Sequence, residues 1–311
     1  MNVVKIIFGS HLYGTASETS DRDFKGVFMP LREQIYLGKI PKSMTANTKK
    51  NSGAKNTAED VDTEMYSLHY FLHLACEGET VALDMLHAPA SMLLETSEIW
   101  SAIVAERERF YTKNLKAFVG YARRQAAKYG VKGSRLNAAK QVCDFLKNFD
   151  ENKRMVEIWD VLPLPEYCHK LPNGVTGEEE YEVCGRRIQK TTHIKHALPI
   201  VETFWKNYGA RAEAAALNKG IDWKAVSHAL RAAFQVKQVL TQKTITFPLD
   251  DAPYLLLVKQ GKLDYQSEVA PRLESIMDEV EMLSEASDLP VAVDRAYWDD
   301  FLIQAIGERV R

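Results

Sequence analysis

The stretch FGSHLYGTASETSDRDFKGVFMP, residues 8–30, joins a glycine-serine pair to two aspartates that are two residues apart. The apolar run VVKIIF before it is rich in β-branched residues and predicts a buried strand that ends at the glycine-serine pair. DFKGVFMP, residues 23–30, predicts a second strand that stops at its proline. The segment therefore predicts two strands joined by a short polar connection, with Asp21 and Asp23 where the second strand begins.

The spacing of the two aspartates predicts a charged cluster. Residues two apart on a strand point to the same face, so Asp21 and Asp23 would repel each other unless a cation lay between them. Mg²⁺ commonly binds one or two carboxylates together with substrate phosphates. Gly9 would let the backbone approach a phosphate, and the Ser10 hydroxyl could donate a hydrogen bond to it. The pattern favours a metal-triphosphate site, and a solvated SDRD turn capped by Ser20 stays open as the alternative.

Composition narrows the class of protein. The chain has 311 residues, of which 46% are apolar and 26% charged, which is typical of one large or two ordinary soluble domains. The net charge of -2 requires neither a nucleic acid nor a membrane as partner. No apolar run approaches the roughly 20 residues that cross a bilayer, the N-terminus lacks a signal-peptide pattern, and the four cysteines form no CxxC pair. We therefore expect a cytoplasmic protein with reduced thiols and no membrane partner.

The remainder of the chain combines a polar stretch, a further strand pattern and helical patterns. Residues 42–59 are polar and predict an exposed loop. DVDTEMYS, residues 60–67, alternates like a third strand. Helical spacing follows over residues 67–78 and, after residue 97, over most of the chain, including an amphipathic helix over residues 222–243 with Asp222 as its N-cap.

Several motifs together resemble a known family. GSHLYGTASETSDRDFKGV resembles the helical-turn motif of polymerase-β-type nucleotidyltransferases, and SHLYG with TSDRDFKGVF is similar to the bacterial and phage branch often found with RNA ligases. Later parts of that branch are similar to DTEMYSLHYFLHLACEGETVALDMLH, AFVGYARRQAAKYGVKGSRL, AVSHALRAAFQVKQVL with ITFPL, and LLLVKQGKLDYQSEV. The resemblance implies an α+β fold. A polymerase-β-like nucleotidyltransferase domain, a mixed sheet with helices over residues 1–105, precedes a mostly helical domain over residues 106–311 with a small β-containing insertion near residues 156–190.

The resemblance also implies two Mg²⁺ ions, with Mn²⁺ as a possible substitute, held by three catalytic carboxylates. Asp21 and Asp23 match the first two positions of the motif. The third must come from EDVDTEMYS, where Asp60, Asp62 and Glu64 alternate and would share one face of a strand. Asp62 stands where the branch has its acid, and Glu64 is the reserve metal ligand.

Nucleotide contacts are expected from three segments. The first is the turn, the second is the basic segment YARRQAAKYGVK, and the third is a stripe at i, i+4 and i+7 on the later amphipathic helix. A solvated basic surface is an equally open interpretation of the two helical segments. The candidates are Gly9, Ser10, Tyr13 and Ser20 in the turn, Arg124, Lys128 and Lys132 in the basic segment, and Lys224, His228 and Arg231 in the stripe.

The implied reaction is an in-line attack of an acceptor hydroxyl on the α-phosphate of an NTP, with release of pyrophosphate. The acceptor could be an RNA end, a protein side chain or a small molecule. Two alternatives stay open: a non-catalytic nucleotide- or RNA-binding module that retains the pocket, and a two-metal phosphoesterase. The sequence identifies neither the nucleotide nor the acceptor, and it leaves the oligomeric state unknown.

Overall fold

A computed structural model describes residues 1–18, 20–48, 59–113, 133–173, 177–216 and 218–310. The chain is divided into two compact units. The first comprises Met1–Ala126, Asp222–Leu263 and Pro271–Arg311, and the second comprises Ala127–Ile221 and Asp264–Ala270. The domain boundary expected after residue 105 stays a prediction. The compact units group Asp222–Leu263 and Pro271–Arg311 with the N-terminal sheet.

The first unit contains a mixed five-stranded sheet in the order β3-β4-β2-β1-β5. Strand β2 is antiparallel to β1 and parallel to β4, while β3 and β5 pair antiparallel at the two edges. This arrangement, together with the surrounding helices, confirms the α+β class expected from the sequence. The strands are β1 Asn2–Phe8, β2 Arg22–Phe28, β3 Ser43–Asn47, β4 Val61–Ser67 and β5 Leu93–Glu95.

The sequence predicted strands β1, β2 and β4 but missed β3. The apolar run of β1 is buried at Val3, Val4 and Ile6, and the alternating segments become β2 and β4. The prediction that residues 42–59 form only a loop was wrong, because Ser43–Asn47 is the edge strand β3. Met44 and Ala46 do alternate with polar residues in this strand, but most of the strand is exposed and the alternation is short. It lies at the start of a stretch dominated by polar residues, which favoured the loop interpretation.

The described residues form eleven α-helices. Helix α3 lies within residues 67–78, where the sequence shows helical spacing, and its buried apolar residues include Leu68 and Phe71. Asp222 caps α8 as predicted, because its side chain accepts a hydrogen bond of 3.0 Å from the backbone of Ala225. Within the described part of the chain, no helix combines the length and apolar character needed to cross a membrane. The helices are α1 Gly9–Tyr13, α2 Arg32–Tyr36, α3 Leu68–Cys76, α4 Thr80–Leu86, α5 Glu98–Ala105, α6 Gly133–Leu146, α7 Ile194–Ala216, α8 Trp223–Gln242, α9 Ala252–Lys259, α10 Ala270–Ala286 and α11 Arg295–Val310.

The second unit has its own core and a small antiparallel sheet in the order β6-β7-β8. Its strands are β6 Cys168–Pro172, β7 Glu179–Val183 and β8 Arg186–Gln189, so they lie in the stretch where the sequence predicts a β-containing insertion. Tyr181 and Trp159 pack into one apolar cluster with residues of α6 and α7.

Candidate active site

The register of the central strands brings three carboxylates together. Asp23 on β2 lies beside Asp62 on the parallel strand β4, so both side chains occupy the same level of the sheet. On its other side Asp23 pairs with Phe8, the last residue of β1. Asp21 directly precedes β2, and one oxygen from each of the three aspartates lies within 4.8 Å of the others. The structure thus brings together the three acids that the sequence analysis selected.

Glu64, the reserve acid, lies in a different environment. It pairs with Lys25, its neighbour in the register, and accepts a hydrogen bond of 2.7 Å from the Tyr66 hydroxyl. Partial burial acts to raise the pKa of Glu64, but the hydrogen bonds from Lys25 and Tyr66 hold that pKa below its ordinary value. In the described residues, the acidic cluster therefore consists of Asp21, Asp23 and Asp62, and Glu64 forms an ion pair with Lys25.

The glycine-serine turn packs directly against the acidic cluster. Gly9 begins helix α1 with φ 62°, in the left-handed region that favours glycine. A Cβ atom at this position would lie 2.0 Å from Oδ2 of Asp23, so any side chain here would force the Asp23 carboxylate to move. The Ser10 hydroxyl is buried and has no hydrogen-bond partner among the described residues. A donor held this way beside three carboxylates suits an oxygen-rich ligand.

The surroundings of Asp23 disfavour its ionised form. Burial raises its pKa first, and the neighbouring charges of Asp21 and Asp62 raise it further, while Lys25 and Lys224 act in the opposite direction. The net shift is upward, so the nearby lysines do not fully compensate for burial and the adjacent acids. A divalent cation among the three carboxylates would supply the missing positive charge.

A cationic wall contributed by α8 and α9 lines the same pocket, whose volume is about 310 Å³. The predicted stripe of Lys224, His228 and Arg231 does reach this pocket. Burial, followed by the charges of Arg231 and Lys224, lowers the pKa of His228 to about 4, so its imidazole is neutral at pH 7. Lys259 adds another cation, although burial and Lys224 lower its pKa as well.

Two cations of the pocket were missed by the sequence analysis. Lys25 lines the pocket two residues after Asp23, and this spacing on a strand gave a local signal that would have identified it. Lys259 gave a weaker signal, as the charged residue that ends the apolar run LLLVK. Its place beside the carboxylates depends on how α9 packs, which the sequence does not state.

Of the other candidates for nucleotide contact, only some are placed in the pocket by the described residues. Tyr13 lines the pocket. Ser20 instead bonds within the connection, where its hydroxyl accepts a hydrogen bond of 2.9 Å from the backbone N–H of Ser17. Arg124, Lys128 and Lys132 lie outside the described residues.

The residues present fit a divalent metal and a triphosphate. Carboxylate oxygens are the ligands that Mg²⁺ prefers, and three aspartates that line the pocket each bring one within 4.8 Å of the others. The unpartnered Ser10 hydroxyl and the cations of α8 and α9 line the remainder, where the negative charge of a triphosphate would be neutralised.

The fold and the arrangement of the site define the class. A mixed sheet, with a glycine-serine turn after its first strand and acids on two adjacent strands, is a polymerase-β-type nucleotidyltransferase-like domain. The family model RlaP, described as the RNA repair pathway DNA polymerase beta family, matches residues 3–146. An uncharacterized 38.9 kDa protein from the nrdC-mobD intergenic region of Enterobacteria phage T4 is 40% identical over 331 aligned positions, which cover 99% of this chain and 98% of that protein. The chain belongs to the RNA repair pathway DNA polymerase beta family. No solved structure matches it significantly.

Proposed function

We propose that this protein transfers a nucleoside monophosphate from an NTP to an acceptor hydroxyl and releases pyrophosphate. The observation that carries the proposal is the meeting, in one pocket, of Asp21, Asp23 and Asp62 with the Ser10 hydroxyl and the cationic wall of α8 and α9. Carboxylates alone would suit many metal sites. Because they share one pocket with Lys224, Arg231 and Lys259, a ligand with several negative charges is favoured.

Each part of the pocket has a role in this proposal. Asp21, Asp23 and Asp62 hold two Mg²⁺ ions, for which Mn²⁺ can substitute. When bound, the ions neutralise phosphate charge and lower the pKa of the acceptor hydroxyl. Ser10 donates a hydrogen bond to a phosphate oxygen, and Gly9 lets the backbone come close to it. The cations of α8 and α9 bind the triphosphate, while the neutral His228 contributes hydrogen bonding without charge.

The reaction needs no nucleophile from the protein. A bond forms between the acceptor oxygen and the α-phosphorus, the bond from that phosphorus to the oxygen of the β-phosphate breaks, and pyrophosphate leaves. The hydroxyl proton passes to water. Positioning and charge neutralisation supply the rate enhancement. The family's description names RNA repair, so an RNA end is the first acceptor to test, followed by proteins and small molecules.

An assay with NTPs labelled at the α-phosphate, Mg²⁺ and a panel of acceptors tests the proposal. We expect label transfer with the wild-type protein and its loss in the double variant Asp21→Ala, Asp23→Ala, by a factor on the order of 10³. Asp144→Ala is the matched control, because this aspartate lies exposed on α6 in an ion pair with Lys140.

Three outcomes would contradict the proposal. Unchanged transfer by the double variant would reject the site. Tight NTP binding without pyrophosphate release, whatever the acceptor, would favour a non-catalytic module. Release of free nucleoside monophosphate in the absence of any acceptor would favour hydrolysis.

A further inference from the structure

Asp84 is a fully buried carboxylate that the site described above does not use. It lies on α4, with 0% of its surface exposed, in a helix whose other residues are mostly apolar. Its Oδ2 accepts hydrogen bonds of 2.8 Å from the Tyr13 hydroxyl and from Nη1 of Arg231. Its Oδ1 accepts one of 2.6 Å from Nε2 of Gln235. All three partners donate, which is the pattern around an ionised carboxylate.

The partners of Asp84 belong to the walls of the pocket. Tyr13 ends α1, the short helix that begins with the glycine-serine turn. Arg231 and Gln235 are one turn apart on α8, the helix that also carries Lys224. The Asp84 carboxylate therefore joins α1, which contains the glycine-serine turn, to the cationic helix α8.

Arg231 is the member of this network that reaches the pocket. Its side chain is 12% exposed and lines the cavity. One edge of the guanidinium bonds to Asp84, and its carbon lies 3.8 Å from the ring centroid of Tyr13. Its Nε is buried and has no hydrogen-bond partner among the described residues. The guanidinium is thus held on two sides by Asp84 and Tyr13, while the Arg231 side chain still lines the pocket.

Stability alone gives a weak account of this pair. A buried ion pair commonly contributes little net stability compared with apolar residues of similar volume, because both charges lose their hydration. Burial raises the pKa of Asp84, and the charge of Arg231 with the donated hydrogen bonds only partly opposes that rise. Fixing a planar guanidinium in one orientation, in contrast, helps to bind phosphate oxygens through paired hydrogen bonds.

We propose that Asp84 is a positioning residue that holds the guanidinium of Arg231 in the orientation that binds the triphosphate of the NTP. This inference rests on the proposed function. Asp84 itself contacts no substrate, and its effect on nucleotide binding passes through Arg231. Gln235 supports the carboxylate from the opposite side, since it bonds to the other oxygen of Asp84.

A double-mutant cycle tests the inference by binding rather than by activity. Isothermal titration with a non-hydrolysable ATP analogue and Mg²⁺ gives the Kd for the wild type, Asp84→Asn, Arg231→Gln and the double variant. Each single variant should raise the Kd about 10-fold, and the double variant should bind no more weakly than Arg231→Gln alone. Thermal melting of each variant, measured in parallel, separates loss of binding from loss of folding.

Gln235→Met keeps the inference falsifiable if Asp84→Asn does not fold. This change removes the hydrogen bond to Asp84 together with the Gln235 carbonyl, which is buried and unpartnered among the described residues, so little else should be lost. It should raise the Kd on the order of threefold. The matched control is Glu279→Gln, which breaks an ion pair of 2.7 Å with Lys237 elsewhere on α8 and should leave the Kd unchanged.

Two results would overturn the inference while leaving the proposed function intact. One is a wild-type Kd in folded Asp84→Asn or in Gln235→Met. The other is a double variant whose Kd rises by the product of the two single effects, since independent effects would show that Asp84 does not act through Arg231. If the wild type bound no nucleotide, the proposed function would fail and this inference would fail with it.

Discussion

The charge of Asp23 lowers the stability of the metal-free protein and suits this residue to bind a cation. It is half buried between two other carboxylates, and burial followed by the charge of Asp21 raises its pKa. The folded protein therefore binds this proton more tightly than the unfolded chain does. The resulting stabilisation is present at low pH and is lost as pH rises through the folded-state pKa. At neutral pH and without metal, the Asp23 carboxylate thus opposes folding.

Replacing Asp23 by asparagine should make the metal-free protein more stable at pH 7. Asp23→Asn removes a destabilised charge, and we expect a rise in Tm on the order of 2 °C in buffer containing EDTA. The same variant should lose most of the rise in Tm that Mg²⁺ gives the wild type. Thermal melts with EDTA and with Mg²⁺ measure both effects.

The control for this experiment is Asp300→Asn, because Asp300 is exposed on α11 and lies outside the residues that line the pocket. It should change neither Tm. A lower Tm of Asp23→Asn in EDTA would contradict the electrostatic account, since it would show that the carboxylate stabilises the fold without metal.

Residues with local partners could be predicted from the sequence, and residues with distant partners could not. Asp21 and Asp23 follow from their spacing along one strand. Asp62, whose partner Asp23 is distant in the chain, was selected only because it matches the family motif. Asp84 gives no such signal, because its donors lie 71, 147 and 151 residues away along the chain. Lys259 was missed for the same physical reason, since its role depends on the packing of α9 beside the sheet.

The turn between β1 and α1 is the element on which the geometry of the site most depends. Gly9 and Gly38 have the same φ of 62°, but their surroundings differ. A Cβ at Gly9 would strike the Asp23 carboxylate, whereas a Cβ at Gly38 would meet nothing within 4 Å. The two glycines therefore separate the cost of a left-handed backbone from the cost of a close contact.

Alanine substitutions at these glycines should affect stability and metal binding differently. Each substitution should lower the free energy of unfolding by about 1 kcal/mol, because alanine disfavours a positive φ. Gly9→Ala should also displace Asp23 and abolish the Mg²⁺-dependent rise in Tm, whereas Gly38→Ala should retain that rise. Denaturant unfolding and melts with Mg²⁺ measure the two effects. Retention of the Mg²⁺ response by Gly9→Ala would show that close packing of the turn on Asp23 is not needed for metal binding.

Elements with an apolar pattern were predicted well, and those without one were not. Strand β1 and helix α3 bury apolar residues at regular spacing, which the sequence displays. Strands β2 and β4 were predicted from alternating residue types, although the structure buries only the last residues of each. The edge strand β3 alternates for only five residues, exposes most of them and lies in a polar stretch, so the sequence favoured a loop there. Its pairing with β4 shows that it is a strand.

At the scale of the whole molecule, the candidate site joins distant parts of the chain within one compact unit. The carboxylates and the turn lie in residues 9–62, and the cationic wall lies in residues 224–259. The sequence-based division assigned these two groups to separate domains, whereas the compact units place them together. Patterns along the chain indicate elements, but the return of α8 and α9 to the first sheet depends on tertiary packing such as the Asp84 network.

Crystals grown with Mn²⁺ and a non-hydrolysable NTP would test the central claim most directly, because anomalous scattering locates Mn²⁺ without reference to any assumed site. The account predicts Mn²⁺ bound by the carboxylates of Asp21, Asp23 and Asp62, with the triphosphate between Ser10 and the cations of α8 and α9. Mn²⁺ and nucleotide bound elsewhere, with these three carboxylates free of metal, would contradict it.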